Sequence, residues 1–178
     1  MVKYSRLKLC KLALVCLLIQ VSACTPTTPA RSDQMTVVIY PASGADPVKL
    51  SVTVYGDKVG GFASHYYPLP RADFEKALIE SLTGSGRFKV LDDSTGSDFK
   101  LSVGLMQLIQ PQWSGTVTLE TTWSVISTGT GMELGRRPVR VQKPAAFGEQ
   151  REATELTAQE SITEGIEWLT GIVEASTP

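Results

Sequence analysis

The order of periodicities in this 178-residue sequence predicts an α+β fold, in which a mostly antiparallel sheet carries two helices on one face. Three observations lead there. Runs that alternate apolar and polar residues recur through the middle of the chain. Two stretches, near 70–84 and 150–174, repeat their apolar residues at helical spacing instead. The last three alternating runs are joined too closely for parallel crossovers, so they read as an antiparallel meander. The expected order is ββαββββα, within a single two-layer domain over 36–178.

Thr36-Val37-Val38-Ile39-Tyr40 is β-branched, ends at Pro41 and reads as a first strand. Leu50, Val52 and Val54 alternate with Ser51, Thr53 and Tyr55 in a second, followed by a Gly-rich loop from Gly56 to Pro70. The first helix should open at Pro70-Arg71, because proline is tolerated in a first turn. Its apolar stripe is Phe74, Ala77, Leu78 and Leu82, and Gly84 and Gly86 end it. Phe88, Val90 and Leu91 make a brief strand before a turn over 92–98. The meander follows: Phe99 to Leu105, then Val117, Leu119, Trp123 and Val125 on one face, then Met132 to Val141. The closing helix places Leu156, Ile162, Ile166, Leu169 and Val173 on its stripe, with Gly165 and Gly171 inviting close packing. Trp113, Trp123 and Trp168 read as core or core-margin residues.

Ahead of this domain, Lys3, Arg6, Lys8 and Lys11 precede an apolar run of ten residues from Leu12 to Val21. A spanning helix needs about 20 apolar residues, so the run reads as an export signal over 1–23. Val21-Ser22-Ala23-Cys24 resembles a bacterial lipobox, in which the cysteine becomes the acylated amino terminus. That resemblance implies a diacylglyceryl group and an amide-linked acyl chain on Cys24. Thr25, where an Asp would favour inner-membrane retention, implies sorting to the inner leaflet of the outer membrane. Residues 24–35, with Pro26 and Pro29 among small polar side chains, read as a solvated tether.

Composition narrows the function classes. Removal of 1–23 leaves 155 residues with 13 basic and 18 acidic side chains, a net charge of −5. Such a domain is not expected to bind nucleic acid, whose phosphates demand clustered Lys and Arg. Cys10 and Cys16 leave with the signal and Cys24 is acylated, so neither a disulfide nor a cysteine metal site is expected. The lone histidine, His65, restricts any catalytic triad, and no nucleophile elbow or phosphate loop is present. The acidic run 92–98 lacks a twelfth-position Glu for calcium, since Val103 stands there. No enzyme activity, cofactor or metal is expected.

Two groups remain as candidate contacts. Phe62, His65, Tyr66 and Tyr67 form an aromatic loop that reads either as an interface or as rings packed over the edge of the domain's own core. Arg136, Arg137 and Arg140, with Lys143 and Arg151 nearby, form a basic cluster that reads either as a lipid-headgroup or acidic-partner site, or as protection of a sheet edge.

Phe74-(x2)-Ala77-Leu78-(x3)-Leu82, running into Ser85-Gly86-Arg87-Phe88-Lys89-Val90-Leu91, resembles small envelope lipoproteins of Gram-negative bacteria. Gly115-Thr116-Val117 with Trp123, then Arg136-Arg137-Pro138-Val139-Arg140, is similar to the ABC-type transport auxiliary (PqiC-like) family. YajG-like and curli-secretion-type lipoproteins share the general plan. The resemblance spans about 36–174. It implies a lipid-anchored periplasmic accessory protein with an envelope protein partner, serving intermembrane lipid transport. The alternative is a carrier that holds a lipid or glycolipid between sheet and helices.

Overall fold

The computed structural model describes residues 28–39, 46–56 and 67–176. Its elements are α1 (Ser32–Met35), β1 (Val48–Tyr55), α2 (Arg71–Gly84), β2 (Phe88–Leu91), β3 (Phe99–Ile109), β4 (Gly115–Ser127), β5 (Glu133–Ala145) and α3 (Gln150–Ser176). The five strands form one sheet in the order β2-β1-β3-β4-β5. As the sequence predicts, the fold is α+β and β3, β4 and β5 make an antiparallel meander. The sheet is nevertheless mixed, because β1 runs parallel to both its neighbours. A helix joins β1 to β2, which is what parallel neighbours require. The 92–98 turn then carries the chain across β1, where Asp98 N–H donates to Lys49 O (2.8 Å) and Lys49 N–H to Asp98 Oδ2 (3.0 Å). The acidic run is thus a turn, with Thr95 N–H donating to Asp93 Oδ1.

The first predicted strand is absent. Thr36 to Ile39 is an extended segment laid on α2, where Thr36 Oγ1 donates to Glu80 Oε2 (2.9 Å) and Val37 N–H to Ser81 Oγ (2.8 Å). Val37 and Ile39 pack against the core while Val38 is exposed, and a helix takes the place of a partner strand. Part of the predicted tether is also folded. Ala30 is fully buried, and the single turn α1 packs Met35 into the core.

The two faces of the sheet follow from register. Leu50 and Val54, Leu101 and Val103, Leu119, Trp123 and Val125, and Val139 and Val141 face the helices and are buried. At the centre, Trp123 Nε1 donates to Thr121 Oγ1 (3.0 Å), which shares a hydrogen bond with Ser161 of α3. Gly165 sits directly against the Trp123 ring, so that a methyl group there would overlap it, whereas Gly171 has open space. The close packing expected at both glycines is found at one. Leu156, placed on the apolar stripe by periodicity, is exposed instead. The buried face of the first half of α3 is made by Ala153, Thr154, Thr157, Ala158 and Ser161. Small side chains let the helix approach the sheet closely, and they carry little hydrophobic signal.

Candidate functional site

Strand direction sorts the two ends of the molecule. β1, β3 and β5 finish, and β4, α2 and α3 begin, at the same end. The chain also enters there. Ala30 N–H donates to Pro68 O (3.2 Å) and Arg31 N–H to Glu155 Oε1 (3.1 Å), so the first described residues are fixed to the start of α2 and to α3.

A buried polar network organises this end. Gln110, which follows β3, donates through Nε2 to Tyr67 O (2.8 Å) and Thr154 Oγ1 (2.7 Å) and accepts from Tyr67 N–H. Thr154 Oγ1 in turn donates to Gln150 O (2.7 Å). Gln150 Nε2 donates to Trp113 O, and its Oε1 accepts from Gly148 N–H (3.0 Å). Removing such a side chain leaves buried partners unpaired, which costs about 1–3 kcal/mol each. No buried side-chain polar atom among the described residues lacks a partner. The network therefore holds both the β3–β4 connection and the β5–α3 connection in fixed conformations.

Those two connections carry the most exposed aromatic rings among the described residues. Trp113 is 66% exposed and Phe147 73%, and the rings stack with centroids 5.7 Å apart at 23°. Ile109 and Leu156, also exposed, lie toward the same end. Sequence reasoning missed this pair. Trp113 was expected in the core or at its margin, yet it falls in a turn between Pro111 and Gly115, outside the alternating runs. Phe147, between Ala146 and Gly148, has the same setting, and that position was the available signal.

Of the predicted contact residues, Tyr67 lies at this end as part of the Gln110 network. Phe62, His65 and Tyr66 fall outside the described residues, as does Cys24. The basic cluster is split by the alternation of β5. Arg136 and Arg140 project from the polar face of the sheet, whereas Arg137 and Lys143 project toward α3. Each has a glutamate: Arg136 with Glu133 (2.9 Å), Arg140 with Glu120 (3.3 Å), Arg137 with Glu164 (3.9 Å), Lys143 with Glu160 and Arg151 with Glu155 (3.9 Å). The hydrogen bond from Arg136 holds the Glu133 carboxyl below the usual range, and Glu133 raises the Arg136 guanidinium in return. The cluster is a set of ion pairs, four with their cation on the edge strand and the fifth, Arg151–Glu155, within α3.

An apolar recess of about 130 Å3 lies at the opposite end, lined by Val48, Phe88, Thr170 and Val173 and flanked by the Arg87–Glu174 ion pair. That is smaller than sites for drug-sized molecules, which run to about 300–1,000 Å3, whereas an open depression of about 630 Å3 lies beside the turn between β4 and β5, lined by Asp98, Phe99, Thr128, Met132 and Leu134. No group of metal-ligating side chains is present among the described residues. No described helix is long and apolar enough to cross a membrane.

No family model and no curated protein matches the chain. Solved structures do share its fold. A Xanthomonas campestris protein of the DUF330 family superposes with a TM-score of 0.63, at 16% identity over 85% of this chain and 100% of that one. A hypothetical protein from Chlamydia trachomatis, CT253, gives 0.59 at 8% identity over 72% of this chain and 99% of its own. An uncharacterized protein gives 0.50 at 17% identity, covering 77% and 99% respectively. At such identities the likeness establishes architecture alone.

Proposed function

We propose that this chain is a non-enzymatic, lipid-anchored accessory protein of the bacterial envelope. Acylated Cys24 holds it on the periplasmic face of the outer membrane, where it serves as an auxiliary component of an intermembrane lipid-transport ABC system. The observation that carries this reading is the coupling of the export signal and lipobox-like Val21-Ser22-Ala23-Cys24 to a domain whose chain is fixed from Ala30 onward. Six Cα–Cα steps separate the acylation site from a buried residue, a reach of at most about 22 Å. The domain is therefore held against the membrane surface and works within a thin layer above it.

The chemistry of the described residues favours binding over catalysis. Titratable side chains pair with one another on the surface, and none combines deep burial with an open cleft as an activated acid or base would. Between sheet and helices the centre is occupied by Trp123 against Gly165, which favours an accessory role over a carrier with a lipid-filled interior. Anchoring raises the effective concentration of the domain for partners that reach the same membrane. A photo-crosslinker at Arg140, on the polar sheet face, tests the role. The expected product contains the periplasm-spanning substrate-binding subunit of an ABC transporter. Crosslinks to abundant envelope proteins alone would contradict it.

A further inference from the structure

The stacked pair Trp113–Phe147 serves no packing purpose in the described fold, since both rings lie largely outside the core. Single exposed apolar residues are ordinary. Trp113 and Phe147, from two different connections, stack at one tip and make a single apolar prominence, and Ile109 is exposed toward the same end. It is also preorganised. Trp113 is held through its carbonyl by Gln150, and the Phe147 turn is closed by Glu149 N–H to Ala146 O (3.1 Å), Ala146 N–H to Glu149 Oε2 (3.1 Å) and Gly148 N–H to Gln150. Gly148 adopts a φ of 89°, which favours glycine and fixes the direction of the turn.

What covers this prominence follows from where Ala30 and Arg31 are fixed to the domain. Ala30 is joined to the tip through Pro68, Tyr67, Gln110, Thr154 and Gln150, so chain entry and aromatic pair share one end. Under the proposed anchoring, which this inference takes as its premise, the acyl chains lie within about 22 Å of Ala30. We propose that Trp113 and Phe147 form an interfacial foot that rests in the headgroup layer of the bilayer holding the Cys24 acyl chains. The indole is suited to that depth, with an apolar body and an N–H that stays hydrated. The net charge of −5 argues against broad electrostatic attraction to anionic lipid. The acyl chains hold the protein at the surface, and the foot sets its orientation. With the foot down, the Met132 hairpin and the recess at Val48 point into the periplasm, and the polar sheet face stands to the side.

The test uses the acylated full chain, purified from membranes and reconstituted in vesicles of phosphatidylethanolamine and phosphatidylglycerol doped with brominated phospholipid. Trp123 is buried, and Trp168 lies on the far half of α3, so the difference in emission between wild type and W113L isolates Trp113. The foot predicts that this emission is lost to brominated lipid, and that W113S/F147S remains membrane-bound while Ile109 becomes open to aqueous labelling through I109C. Trp113 quenched by aqueous acrylamide but not by brominated lipid would overturn the proposal. Protection from both quenchers would also overturn it, and would place a second copy of the chain over the tip. Mass spectrometry of the purified protein keeps the premise separate: an unacylated product fails the anchoring itself, whereas an acylated product with unquenched Trp113 fails the foot alone.

Discussion

Gly165 illustrates how one side chain sets the distance between the layers. Alanine is better than glycine in a helix by about 1 kcal/mol, so propensity alone favours replacement at both Gly165 and Gly171. Packing separates them. A methyl group at Gly165 overlaps the ring of Trp123, which is fully buried and tied to Thr121, and cannot swing away. Gly165→Ala is expected to destabilise by about 1–3 kcal/mol, and Gly171→Ala to stabilise by about 0.4–1 kcal/mol, both read by urea denaturation. Equal effects of one sign would refute this account of the interface. Gly104 is a different case. There the intruding group is the far end of Tyr55, on the more accessible face of the sheet, and that ring has room to move.

At the scale of elements, what the sequence made legible depended on how each element is satisfied. The meander was legible because its alternation and its short turns agree. The α2 stripe was legible because Phe74, Ala77, Leu78 and Leu82 are all buried. Thr36 to Ile39 misled because β-branching reports an extended backbone, not the identity of its partner; the partner is α2. The first half of α3 misled because Ala, Thr and Ser line its buried face, leaving Leu156 as the apolar residue most visible to periodicity. On β5 the sequence left two readings open, and the position of the strand at the sheet edge supports protection. Pro138 and Pro144 share parity, and neither can donate to β4, so both remove donors from the outward row. Restoring them as P138T/P144T is expected to promote self-association, seen as a concentration-dependent rise in mass by light scattering. A variant that stays monomeric at all concentrations would contradict that role.

The whole molecule has a polarity that no single element reveals. Chain entry, the Gln110–Thr154–Gln150 network and the aromatic tip lie together, while the far end carries the β4–β5 hairpin and the recess beside Arg87. The proposed anchor site was legible in the sequence as a motif, but the packing of half the link behind it was not. Residues 24–35 read as tether, and tertiary packing of Ala30 and Met35 takes up half of that span. Under the proposed anchoring, membrane, link and domain act as one unit, and the central claim rests on the covalent state of one sulfur. The most direct measurement is the mass of the amino-terminal peptide of the processed protein, taken from isolated outer membranes and compared with the C24S variant. The account predicts a chain that starts at Cys24 with thioether and amide-linked acyl groups, and a C24S variant absent from that fraction. A free thiol at residue 24, or unchanged fractionation of C24S, would contradict it.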